Sequence, residues 1–189
     1  MSVFIPLSYD HFAPAEAQAK VLLGPEQINA IVRRLALELE RDYQDKHPVL
    51  LTVMSGALVF AGQLMTHLRF PLQLDYCHVT RYRGAARADE LQWLVSPRLA
   101  LKDRHVLVLD DILDEGHTLL HIERFVQAQG ARSCASVVFC DKRHDRKAEK
   151  DMRAAYTGVD IPDRFVFGFG LDYLEYGRNC PALMIVESL

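Results

Sequence analysis

The chain has 189 residues, half of them hydrophobic, with a formal net charge of −3 and a pI near 6.2. Length and apolar content suit one domain with a sizeable core, mild acidity argues against a protein that coats nucleic acid, and no stretch reaches the roughly 18 apolar residues of a spanning helix. Cys77, Cys134, Cys140 and Cys180 form no C-x-x-C pair, and MSVFIPLSYDHFAPAEAQ lacks the basic start and apolar run of a signal peptide, so a reduced cytoplasmic protein is expected.

The first 24 or so residues give no regular element. Together with the C-terminal stretch 161–189 they are expected to form a small hood. Ile28, Ile31, Val32, Leu35 and Leu39 recur at helical spacing behind Gly24-Pro25, which predicts an amphipathic helix over 25–43. PVLLTVM (48–54) reads as a buried strand, followed by a helix from about Ala57 to His67. LQLDYCHVTRY (72–82) is rich in β-branched and aromatic residues and reads as a strand. RGAARA reads as a mobile loop, and DELQWLV (89–95) as a shorter strand. HVLVLDD (105–111) is the strongest strand signal. A short loop and a helix from Thr118 to Gln129, ended by Gly130, come next. SCASVVFC (133–140) is another buried strand, and the charge run RHDRKAEKDMRAA reads as a solvated face. Strands separated by helices of this length imply parallel βαβ units. The expected fold is α/β, a doubly wound, mainly parallel sheet in a single domain over 1–189.

Ligands of open parallel sheets bind beyond the carboxyl ends of the strands. HVLVLDDILDEGHTLLHI places Asp110 and Asp111 at such an end, with Asp114, Glu115, Gly116, His117 and Thr118 leading into a helix. Paired carboxylates can accept from adjacent ribose hydroxyls and can hold Mg²⁺. The E-G-H-T turn offers backbone N–H groups, a hydroxyl and a positive helix terminus, which suit a phosphate. Gly116 lets the backbone approach closely. Ordinary N-capping by Asp114 or Thr118 is the plain alternative. It leaves four carboxylates in six residues unexplained. His117 and His121 stand four apart, but no H-E-x-x-H or third ligand accompanies them, so exposed or phosphate-facing histidines are expected instead of zinc. Neither G-x-x-x-x-G-K-[ST] nor G-x-G-x-x-G is present.

VLVLDDILDEGHTL resembles the phosphoribosyl-pyrophosphate signature of the type I phosphoribosyltransferases, and most closely that of the purine-salvage hypoxanthine–guanine branch. The similarity runs from about Val21 to Val186. The resemblance implies that Asp110 and Asp111 hold the ribose hydroxyls and that Glu115 to Thr118 wrap the 5′-phosphate. It gives Asp114 the N7 proton of the purine. The family usually has Glu-Asp where this chain has Asp-Asp. VMSGALVF (53–60) resembles the family's pyrophosphate loop, with Ser55 and Gly56 as contacts and the Met54–Ser55 peptide as the one that is often cis; relatives often carry a base at Ser55. Read on residues alone, this stretch is a plain turn. Lys142, in CDKRHDR, matches the lysine that meets the purine 6-oxo group, although a lone lysine after a strand is commonly just solvated.

In IPDRFVFGFGLDYLEYGRN the resemblance implies that Phe165 stacks on the purine and that the backbone at Val166 reads its edge. Asp172 contributes with Asp110 and Asp111 to Mg²⁺ sites, and Arg178 meets pyrophosphate. The bland alternative is a core strand and turn. Relatives commonly have Ser-Tyr where this chain has Arg81-Tyr82, which begins a lid over the site. The expected activity is transfer of hypoxanthine or guanine to phosphoribosyl pyrophosphate with Mg²⁺, by a homodimer or homotetramer that engages neither nucleic acid nor membrane. A xanthine-preferring enzyme is the near alternative. A nucleotide-sensing regulator on the same fold is the distant one.

Overall fold

The structure is a computed structural model that describes residues 8–81 and 91–186. Its elements in chain order are α1 (Tyr9–Gln18), β1 (Lys20–Leu23), α2 (Pro25–Tyr43), β2 (Val49–Val53), α3 (Ala57–Met65), β3 (Gln73–Arg81), β4 (Leu91–Val95), β5 (His105–Leu113), α4 (His117–Ala128), β6 (Ser133–Arg143), β7 (Tyr156–Pro162), β8 (Phe165–Phe167) and β9 (Leu183–Val186). The main sheet has the order β4-β3-β2-β5-β6-β7, parallel throughout except for β4, which pairs antiparallel with β3. A second, antiparallel sheet has the order β1-β9-β8.

The period of two along the central strands sets the layers. Leu50, Leu107, Leu109, Val137 and Phe139 face α2 and α3 on one side, with Val32, Leu35, Leu39, Phe60 and Leu64 packed on them. Val49, Leu51, Val106, Val108 and Val138 face Leu119, Ile122 and Val126 of α4 on the other. Helices thus cover both faces of the sheet, the doubly wound arrangement expected. Helix α2 starts where Gly24-Pro25 predicts, and Gln27 Oε1 accepts the Gly24 N–H at 2.9 Å.

Three readings of the sequence need correction. Residues 9–18, given no element, form helix α1, capped by Ser8, which accepts the Asp10 N–H. Its Phe12 lies 5.3 Å from the Phe167 ring and builds a small core with Ala15 and Val186. Strand β6 runs on through Arg143, so Lys142 belongs to the strand instead of following it. Last, the charge run is not simply solvated. Asp141 just before it is fully buried, and Lys147 donates to Asp141 and to the carbonyls of Leu113 and Asp114, so the buried charges are paired. No helix among the described residues is long and apolar enough to cross a membrane. RGAARA and Tyr82 lie outside the described residues.

Candidate active site

Strands β2 and β5 are neighbours, but the chain leaves β2 through α3 towards β3 and leaves β5 through α4 towards β6. Their connections diverge, and a crevice opens at the carboxyl ends of the two strands. A cleft of about 400 Å³ occupies it. Ser55 and Gly56 wall it from the β2 loop; Asp110, Asp111, Asp114, Glu115, Gly116, His117 and Thr118 come from the end of β5 and the start of α4. Asp172 and Arg178 reach it from the chain between β8 and β9. The structure brings these residues to one cleft. Lys142 stands behind Asp114. Phe165 and Val166 do not line the cleft: the Phe165 ring packs edge-on against Tyr173 at 4.8 Å, and Val166 is buried in the core. Arg81 closes β3.

The β2 and β5 loops touch at Gly56. A Cβ there would stand 1.9 Å from Asp111 Oδ2, and one at Gly170 would stand 2.2 Å from the Gly56 carbonyl oxygen. Only a glycine leaves room for the Asp111 carboxylate at this crossing. The Met54–Ser55 peptide is cis, at the position the resemblance indicated.

Asp110 is buried, and burial followed by the Asp111 charge pushes its carboxyl well above the usual range. Burial also raises Asp111, although a hydrogen bond with Asp110, the Ile112 N–H and the Arg178 charge pull the other way. Asp114 has a different surrounding. Lys142 Nζ lies 2.6 Å from its Oδ2 and His144 Nε2 lies 2.8 Å from its Oδ1. Burial pushes the Asp114 carboxyl up, but these two donors outweigh it and hold the group below its ordinary value. The N-cap of helix α4 is Gly116 (φ 93°), which has no side chain to cap it. Asp114 spends its oxygens on Lys142 and His144, so the capping alternative does not describe it.

Residues 22–174 match the phosphoribosyl transferase domain family. The chain is 34% identical to the hypoxanthine-guanine phosphoribosyltransferase of Bacillus subtilis, over 89% of this chain and 93% of the relative. It is 33% identical to the hypoxanthine-guanine-xanthine phosphoribosyltransferase of Tritrichomonas foetus, over 89% and 92%. A crystal structure of a Staphylococcus aureus hypoxanthine phosphoribosyltransferase superposes with a TM-score of 0.83 at 33% identity, covering 89% of this chain and 91% of the other. The chain belongs to the phosphoribosyltransferase family.

The family's chemistry is pentosyl transfer, and this phosphoribosyltransferase presents a cleft lined by the carboxylates of Asp110, Asp111, Asp114, Glu115, Asp172 and Glu175 together with the Arg178 guanidinium. Arg178 is held in place by Asp172 at 2.7 Å and Glu175 at 3.0 Å, and it donates to the Gly170 carbonyl. Among the described residues no group of three or more His, Cys, Asp or Glu side chains is arranged to hold a metal alone. His117 is exposed, 3.9 Å from Glu115, while His121 packs on Trp93 at 5.5 Å, so the two histidines do not share a site. Sequence reasoning missed His78 and Glu175, which join the cleft wall, and also His144 and Lys147. His144 and Lys147 lie in the charge run, where only the fold reveals their partners 30 and 33 positions away.

Proposed function

We propose that this phosphoribosyltransferase joins hypoxanthine or guanine to the ribose of phosphoribosyl pyrophosphate in purine salvage, giving the nucleoside 5′-monophosphate and pyrophosphate. The observation that carries the reading is the 2.6 Å contact between Lys142 Nζ and Asp114 Oδ2. In a 6-oxopurine, O6 and N7 are neighbours on one edge. A donor and an acceptor held side by side match that edge, Lys142 facing O6 and Asp114 facing the N7 proton. Adenine would set an amino group against the Lys142 donors and leave both unpaired, at a cost of about 1–3 kcal/mol.

Asp110 and Asp111 hold the ribose hydroxyls, and the backbone of Glu115, Gly116, His117 and Thr118 receives the 5′-phosphate at the start of α4. Ser55, Gly56 and Arg178 meet the pyrophosphate. The resemblance would also give Phe165 and the Val166 backbone to the base site, although neither lines the cleft. A purine ring nitrogen forms a bond to C1 of the ribose as the bond from C1 to pyrophosphate breaks, and Asp114 takes the proton from N7. Two adjacent carboxylates both raised by burial, with the Asp111 charge adding to the rise at Asp110, fit a hard cation, so Asp110 and Asp111 would hold Mg²⁺. Asp172 fits less directly, because Arg178 already holds it. When bound, Mg²⁺ offsets charge on the leaving pyrophosphate. The three-stranded sheet and α1 serve as the hood, and a cytoplasmic homodimer or homotetramer is the form we expect.

Chromatographic detection of nucleotide tests the reading, using the purified protein with phosphoribosyl pyrophosphate, Mg²⁺ and each of hypoxanthine, guanine, xanthine and adenine. Monophosphate is expected from hypoxanthine and guanine, and none when chelator is in excess. Product from neither base, or full turnover in chelator, would overturn it.

A further inference from the structure

We infer that His144 is a positioning residue that fixes the aim of the Asp114 carboxylate through a neutral imidazole locked in one tautomer. The inference rests on the reading of Asp114 as the group that takes the N7 proton.

The His144 side chain is 3% exposed, and its two ring nitrogens have different neighbours. Nδ1 lies 3.0 Å from the backbone nitrogen of Arg146, and Nε2 lies 2.8 Å from Asp114 Oδ1. A backbone N–H can only donate, so Nδ1 presents its lone pair and the ring hydrogen sits on Nε2, directed at the carboxylate. The Arg146 side chain is itself anchored by two bonds to Asp163, of 2.7 and 2.9 Å, just ahead of β8. The imidazole is therefore held from behind by main chain that is tied down in turn. It does not line the cleft, and it meets the cleft wall at Asp114.

The need for such a group follows from the two demands on Lys142. In the structure Lys142 and His144 each hold one oxygen of Asp114. When Lys142 turns to the 6-oxo group of a base, the carboxylate loses one of its two donors and is freer to rotate. His144 keeps Oδ1, which leaves Oδ2 aimed at N7. The ring cannot relay the proton onward, because Nδ1 already accepts the Arg146 N–H. The proton from N7 stays on Asp114, and His144 acts as a fixed donor, not as a second base.

Two measurements test this. In ¹⁵N-labelled full-length protein, His144 should show the neutral Nε2–H tautomer, with its Nε2–H resonance moved by Asp114→Asn. An Nδ1–H tautomer, or no response to that substitution, would overturn the proposal, and this readout stands whether or not the protein turns over a purine. In kinetics, His144→Leu should lower kcat with hypoxanthine by roughly ten- to a hundredfold, the scale of a misaimed catalytic group, while KM for phosphoribosyl pyrophosphate stays within about twofold. His144→Gln, which returns an uncharged donor near the Nε2 position, should recover most of the loss. Equal loss in the Gln and Leu variants, or kcat unchanged in the Leu variant, would contradict it. Inactivity of the unsubstituted protein with every 6-oxopurine would instead count against the proposed function.

Discussion

Asp114 differs from its neighbours in what it touches. Asp110 and Asp111 crowd each other at the end of β5, whereas Asp114 has Lys142 and His144 on its two oxygens. That contrast separates chemistry from binding. Asp114→Asn keeps the size of the side chain but loses the charge that receives the proton, so kcat should fall by roughly 10²-fold or more with little change in affinity for phosphoribosyl pyrophosphate or in melting temperature. Asp111→Asn should weaken sugar binding itself. Steady-state kinetics and thermal melts of both variants check this; near-normal kcat in Asp114→Asn refutes the proton role. At this scale the sequence revealed the residues that cluster within one loop, because 110–118 are contiguous. It concealed His144, whose chemistry depends on Asp114, 30 positions away in the loop after β5.

Among the elements, the long periodic helix α2 and the apolar strands β2, β5 and β6 were legible because their patterns repeat several times. Strand β7 was not. YTGVDIP follows a charge run, alternates only loosely and pairs along one edge with β6. Helix α1 was hidden for a similar reason, a 10-residue segment with Pro14 inside it. Strand β7 is tied to α2 by Tyr156, whose hydroxyl donates to Asp42 at 2.8 Å. Hydrogen bonds from Arg41 first, and then Tyr156, pull the Asp42 carboxyl down from 3.8 to about 2. A depressed folded-state value stabilises the fold above the ordinary value, and that contribution is lost as pH falls through the folded one. The melting temperature of Tyr156→Phe should therefore lie below that of the unsubstituted protein at pH 5 to 7, with the gap closing between about pH 4 and 2. A gap that stays constant across that range would show that Asp42 is not the linked group.

For the whole molecule, the parallel order β3-β2-β5-β6-β7 brings the β2 and β5 loops to one crevice, where the segment between β8 and β9 meets them, with Gly56 and Gly170 providing the close approach. The fold class was legible from the alternation of strands and helices. A hood from the two terminal segments was expected, but the strands of the β1-β9-β8 sheet were not read, because they are three or four residues long. That sheet frames the segment carrying Asp172 and Arg178 into the cleft. The central claim is that Lys142 and Asp114 together read the O6–N7 edge of the base. The ratio of kcat/KM for hypoxanthine to that for adenine, at saturating phosphoribosyl pyrophosphate and Mg²⁺, tests it most directly. A ratio of at least about tenfold is predicted from one mispaired donor in a desolvated site. A ratio near one would contradict it.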